Sequence, residues 1–142
     1  MSRDSLMAKF NKPISFYEGM LKNTITTGPE TNLVEVVELM NKHNVGSIVI
    51  EEEHKAIGII TERDFLTKLY MYGAEDLKKK KVSDYMTKNP KILSNTDPMS
   101  EILKLFYKKE FRHLVIVDEN KKLSSVFSVR DIVSFLIDEF SH

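Results

Sequence analysis

Gly58-Ile59-Ile60-Thr61-Glu62-Arg63-Asp64 reads as a short buried strand running straight into a helix. Thr61 takes the N-cap position and Asp64 stands three residues further on. A hydroxyl and a carboxylate at that spacing satisfy orphan backbone N–H groups at a helix start, as a capping box does. One such element calls for no further account. A second copy does: Ser125-Val126-Phe127-Ser128-Val129-Arg130-Asp131 repeats hydroxyl-x-Arg-Asp behind another apolar run. Self-similarity at long spacing is the mark of a duplicated supersecondary unit.

The duplication extends well beyond these two elements. Met20-Leu21-Lys22-Asn23 aligns with Met86-Thr87-Lys88-Asn89, and Ile48-Val49-Ile50 with Leu114-Val115-Ile116. Leu33, Val36, Val37 and Met40 match Met99, Ile102, Leu103 and Phe106, the spacing of a helix with one apolar face. Thr31 or Asn32 is placed to cap the first of these helices. Asp97 is placed to cap the second, with Pro98 at its first turn. Ser15-Phe16-Tyr17-Glu18 carries S-x-x-E and predicts a short capped helix through Leu21. The helix that starts at Glu62 is expected to run to Tyr72 and stop at Gly73. Each repeat therefore reads strand, helix, strand, hairpin, strand, helix. The fold class is α/β, of the α+β kind.

This pattern resembles a tandem pair of cystathionine-β-synthase (CBS) domains, a Bateman module. The residues that carry the resemblance are Gly58 to Asp64, Asp84-Tyr85-Met86-Thr87-Lys88-Asn89-Pro90 and Arg112-His113-Leu114-Val115-Ile116-Val117-Asp118. It covers nearly the whole chain. It implies two β-α-β-β-α repeats packed with pseudo-two-fold symmetry, the short segments ahead of them packing each repeat onto the other half. The boundaries expected are a lead-in over 1–13, repeat one over 14–73, a linker over 74–81 and repeat two over 82–142.

A carboxylate at the third position of a helix can accept hydrogen bonds from a vicinal diol. The helix N-terminus beside it favours a phosphate. Asp64 and Asp131 are the candidate ribose acceptors, with Thr61 and Ser128 at the same mouths and Gly58 as a place of close approach. The resemblance implies an adenosine nucleotide (AMP, ADP or ATP) as regulatory ligand, held in the cleft between the repeats. Its base would pack on the first strand of a repeat, at Thr24, Ile25 and Thr26 or at Lys91, Ile92 and Leu93. Its phosphates would meet Arg112 and His113. S-adenosylmethionine is a less favoured ligand. Repeat two departs from the motif, with Ser125 for Gly58 and Phe127 for Ile60, while repeat one has Gly46 and Ser47 where repeat two has Arg112 and His113.

Bulk properties narrow the function classes. Lys plus Arg is 21 and Asp plus Glu is 21, so the formal charge is zero. That balance argues against a general nucleic-acid or anionic-membrane binder. The run Lys78-Lys79-Lys80-Lys81 is short, lacks interleaved aromatics and reads as solvated linker. With no cysteine there is no disulfide framework. His43, His54, His113 and His142 have no ligand partner at helical spacing, so no metal is expected. No apolar run approaches the roughly 20 residues needed to span a bilayer. Two repeats fill the chain, which leaves no catalytic domain. The expectation is a cytoplasmic regulatory protein, not an enzyme, that signals nucleotide binding to an effector protein. Surplus apolar positions, Leu69, Met71, Tyr72, Phe135, Ile137 and Phe140, point to a homodimer. The alternative is a ligand-free interaction or oligomerisation module.

Overall fold

In the computed structural model the described residues are 2, 8, 10–21, 23–109 and 111–140, the side chains of 139 and 140 excepted. Most of the expected lead-in, the side chain of Phe140, and His142 lie outside them. The chain divides into two units: Lys22–Pro90, and Met1–Leu21 together with Lys91–His142. The architecture is mixed α/β. The short segment ahead of each repeat belongs to the unit built by the other repeat.

In the unit Lys22–Pro90 a four-stranded sheet has the order β1-β2-β3-β4, formed by Thr26–Thr27, Ser47–Glu52, Lys55–Thr61 and Thr87–Lys88. β1 runs parallel to β2, and β2, β3 and β4 pair antiparallel in turn. Glu53 and His54 close the β2–β3 hairpin with φ of 51° and 66°. Positive φ at both central residues suits the right-handed twist of the flanking strands. Helix α1, Leu33–His43, begins at Asn32, whose side chain accepts from Glu35 N at 3.0 Å and donates to its carboxylate at 2.8 Å. It ends on Asn44 in the left-handed region, a residue tolerant of that conformation. Its apolar stripe, Leu33, Val36 and Met40, packs with Ile48, Ile50, Ile60, Leu69 and Val82 into one core. Val49 and Ile59, on the other face by alternation, are buried too. Burial on both faces accounts for the unbroken apolar runs of these strands.

Two expectations fail here for local reasons. Helix α2 spans only Glu62–Thr67, and both Lys68 N–H and Leu69 N–H bond back to Asp64 O. That widened last turn sends Leu69 into the core and ends the helix before Tyr72. Gly73 instead stands at the N-cap of a further short helix, α3, Ala74–Lys78. The stretch read as a linker thus carries a helix whose Leu77 packs against the same core. The chain stays tied to this unit beyond it, with Leu33 N donating to Lys80 O at 3.1 Å and Val82 N to Thr31 O at 2.8 Å.

The other unit holds a three-stranded sheet, β5-β6-β7, from Ile92–Ser94, His113–Val117 and Leu123–Ser128. Its helices are α4, Met99–Tyr107, and α5, Val129–Phe140. Asp118 closes the β6–β7 hairpin by accepting from the backbone N–H of Asn120 and of Lys122. Pro98 occupies the N-cap of α4, one residue later than expected. Asp97 is not the cap, because its carboxylate accepts from Ser94 N at 3.0 Å and closes the turn after β5. Phe10, Ile14 and Tyr17 enter this core beside Met99, Ile102, Leu114, Phe127 and Phe135. The Tyr17 and Phe135 rings lie 6.1 Å apart, and Phe127 meets Phe135 edge to face at 6.0 Å. Backbone bonds from Ile14 N to Asp97 O and from Ser15 N to Asn95 O, each 2.9 Å, fix the segment. Ser15-x-x-Glu18 does not cap a single helix: two 3-10 turns form, Ile14–Phe16 and Glu18–Met20. Glu18 accepts from the hydroxyls of Ser124 and Ser125 on β7 instead.

Candidate functional site

Both duplicated motifs form the same local structure. Asp64 Oδ2 accepts from Thr61 N at 2.9 Å and from Thr61 Oγ1 at 3.2 Å, completing a capping box at α2. Asp131 Oδ2 accepts from Ser128 N at 2.8 Å and from Ser128 Oγ at 3.0 Å, while Asp131 N donates back to that hydroxyl. The capping reading of T-x-x-D is therefore satisfied in full. It engages one oxygen of each carboxylate. Asp64 Oδ1 faces Lys68 Nζ at 3.5 Å across one helical turn. Asp131 Oδ1 takes no hydrogen bond among the described residues. Asp64 is 9% exposed, the one buried acid of the described core.

Sheet register decides which candidates share a place. In the first unit Ser47 pairs with Thr61, and Thr26 with Val49 in parallel. Followed two residues back, that register sets Thr24 level with Ser47. Ile25 O accepts from Val49 N at 3.0 Å. Thr24, Ile25 and Thr26 thus lie toward the sheet end that presents Thr61 and Asp64. In the second unit His113 pairs with Ser128, and Val129 N donates to Arg112 O at 3.2 Å. Arg112 and His113 therefore adjoin the start of α5, where Asp131 caps. Lys91 leads into β5, and Ile92 and Leu93 lie in it, beside β6, with Ile92 opposite Val115. Arg112 is exposed and His113 half-buried.

Gly58 has a packing cause. A Cβ there would lie 2.2 Å from Met86 Sδ, 2.8 Å from its Cγ and 2.9 Å from its Cε. The room left by the missing side chain is filled by methionine from the segment ahead of repeat two. Any ligand contact at Gly58 would run through its backbone. At the matching position of the other unit Ser125 hydrogen-bonds Glu18. Sequence reasoning missed Met86 and Glu18, since nothing in either motif marks a partner from a distant segment.

The lysine run is engaged locally. Lys80 Nζ lies 4.3 Å from the Tyr72 ring centroid and 5.4 Å from that of Tyr85. A hydrogen bond to Tyr85 is the largest cause of the raised pKa of Lys80. Lys81 is held 2.8 Å from Glu30, whose hydrogen bond raises the lysine pKa likewise. No helix among the described residues is long and apolar enough to cross a membrane.

The apolar surplus is only partly on the surface. Leu69 and Phe135 are buried in their own cores and Tyr72 packs against one, so these three leave the set expected to face a partner. Met71 and Ile137 are exposed, as are Leu66, Tyr70 and Val133.

The CBS domain family model matches residues 14–70 and 82–138. In sequence the chain is 33% identical over 111 residues to a 17.7 kDa protein of Acidianus ambivalens, over 78% of this chain and 65% of that one. It is 34% identical over 117 residues to inosine-5′-monophosphate dehydrogenase of Aquifex aeolicus, over 81% of this chain but 23% of the enzyme. The chain thus spans under two thirds of the Acidianus ambivalens relative and a minor part of the dehydrogenase. A CBS domain protein of Pyrobaculum aerophilum, solved in complex with AMP, matches with a TM-score of 0.68 at 22% identity, over 88% of this chain and 98% of that one. A CBS domain pair solved with 5′-methylthioadenosine and S-adenosyl-L-methionine matches with a TM-score of 0.67 at 24% identity, over 82% of this chain and 93% of that one. At these identities the two solved structures bear on the fold.

Proposed function

The chain belongs to the CBS domain family, with two copies of the domain, and from that premise we propose that it is a ligand-sensing regulatory module for an adenosine nucleotide, AMP, ADP or ATP. The observation that supports this reading is the pairing of His113 with Ser128, which brings Arg112 and His113 to the sheet end where the helix of Asp131 begins. Asp131 would accept from the ribose diol through the oxygen its cap leaves over. The twelve-residue α5 would present its positive end and unbonded N–H groups to the phosphates. Arg112 would add a planar fork for phosphate oxygens and His113 a further donor. Lys91, Ile92 and Leu93 would meet the base. In repeat one Thr61, Asp64 and the backbone of Gly58 would hold a ribose, with Thr24, Ile25 and Thr26 toward the base. The solved relatives that carry AMP, or 5′-methylthioadenosine and S-adenosyl-L-methionine, support the ligand class.

Signalling follows if occupancy shifts a conformational equilibrium that an effector protein reads, and coupling of about 1–3 kcal/mol suffices. The work proposed for the chain is binding in the cytoplasm rather than catalysis, as a homodimer through the exposed Leu66, Tyr70, Met71, Val133 and Ile137. Calorimetry with AMP, ATP and adenosine on the natural chain, D64N and D131N tests the ribose assignment. Asparagine keeps an acceptor at the cap but loses the charge, and a hydrogen bond to a charged group contributes about 1.5–3 kcal/mol. Unchanged affinity in both variants would sink it.

A second reading has an observation of its own. Both carboxylates already serve as caps, so the motifs are accounted for without a ligand. The chain would then be an interaction module that binds partners through its apolar helical faces. A thermal shift separates the two: a ligand at 100-fold its Kd adds about 2.7 kcal/mol of stability, and an interaction module shows no shift across a nucleotide panel.

A further inference from the structure

The two repeats carry residues of opposite charge around equivalent positions ahead of the middle strand. In each, the residue ahead of the middle strand accepts from the first N–H of the following helix. Gly46 O takes Glu62 N at 2.9 Å, and Arg112 O takes Val129 N at 3.2 Å. Gly46 is therefore the structural counterpart of Arg112, and Glu62 that of Val129. At Gly46 the sector that a side chain would enter is taken by the Glu62 carboxylate. A Cβ built there would stand 3.0 Å from Glu62 Oε1 and 3.1 Å from its Cδ. Where repeat two has an exposed arginine, repeat one folds a carboxylate over a glycine. Ser47 stands where repeat two has His113, a short hydroxyl in place of an imidazole. Arg63 and Arg130 are common to both motifs. Around Asp64, Lys68 is the other cation, 3.5 Å from Oδ1. By sequence position, repeat one thus carries a second acid, Glu62, at the helix start where repeat two has Val129.

Resting on the adenosine reading above, we propose that repeat one selects adenosine ligands whose 5′ group is uncharged or cationic, with Glu62 as the residue that turns phosphate away. Repeat two takes the anionic nucleotide. The selection works by repulsion: a phosphate entering this mouth meets a like charge at short range, whereas a nucleoside meets none. Glu62 is exposed, so the effect weakens as salt rises.

The test isolates repeat one with D131A, checked for a cooperative thermal transition. If that variant does not fold, D131N, which keeps an acceptor at the cap, replaces it. Calorimetry then compares adenosine, 5′-methylthioadenosine, S-adenosylmethionine and AMP at two salt concentrations. Adenosine and the sulfur-bearing nucleosides are expected to bind more tightly than AMP. Adding Glu62→Gln is expected to raise AMP affinity about three- to ten-fold, less at high salt, and to move adenosine by less than about two-fold. AMP binding at least as tightly as adenosine, or an adenosine-to-AMP ratio unmoved by Glu62→Gln, overturns the selectivity and leaves the adenosine reading standing. Absence of binding by every probe to the natural chain overturns both.

Discussion

Gly58→Ala adds one methyl group where Met86 already lies, and the outcome can be worked from the distances. Non-bonded heavy atoms rest about 3.5–4.0 Å apart. The new Cβ would meet Met86 Sδ at 2.2 Å, with Cγ and Cε under 3.0 Å. The whole methionine side chain must therefore retreat by more than about 1 Å to restore ordinary contact. It has three rotatable bonds and can do so, but it packs against the core of this unit. Overpacking of this kind costs about 1–3 kcal/mol. Alanine in turn stiffens the unfolded chain and recovers about 0.4–1 kcal/mol, because Gly58 does not need a positive φ. A net loss of about 1–2 kcal/mol is expected. Removing the obstacle reverses the sign: in a Met86→Ala background, Gly58→Ala should be neutral or stabilising by up to about 1 kcal/mol. Urea unfolding of the four proteins closes a double-mutant cycle. An equal loss in both backgrounds would refute Met86 as the reason for glycine at this position.

Arg112→Ala should weaken AMP and ATP at least about ten-fold at low salt while sparing adenosine, since a charge-assisted bond is worth about 1.5–3 kcal/mol; calorimetry that gives a constant adenosine-to-AMP ratio places the phosphates elsewhere. Light scattering on Met71→Glu or Ile137→Glu should give monomer where the natural chain gives dimer, and a natural chain already monomeric at micromolar concentration removes the dimer proposal. The raised pKa of Lys80 and Lys81 means that the fold favours their protonated forms. Their contribution is fully present below the ordinary lysine value of 10.5 and is lost as pH rises through the higher folded value. The urea midpoint should therefore fall more steeply above that pH in the natural chain than in K80M/K81M, and parallel curves would count against it.

The fold was legible because its two signals repeat. Apolar spacing at Leu33, Val36 and Met40 marked a helix face, and Ile48 to Ile50 with Leu114 to Ile116 marked strands buried on both sides. What escaped was set by long-range contact. Nothing local announces that Leu69 turns inward and stops α2 after one and a half turns, or that Asp97 closes a turn rather than opening a helix. The hydroxyl-x-x-Asp motifs were legible as chemistry. That Asp131 has Arg112 and His113 beside it follows from strand register, which the spacing of the motifs does not state. Glu62 over Gly46 was invisible for a further reason: a glycine reports the absence of a side chain and not what fills the space.

The exchange of leading segments also orders events in time. Lys22–Pro90 is continuous in sequence, so its core, completed by Val82 and Met86, can close as soon as that stretch has left the ribosome. The other unit cannot. Phe10, Ile14 and Tyr17 are made first and must wait, apolar and unburied, for Met99 to Phe135 to be synthesised. Once Lys22–Pro90 has folded, it is a compact insert and no longer a slack chain between the two parts of its neighbour. The early aromatic segment is then the part of the nascent chain most exposed to chaperones, and the last to find its place.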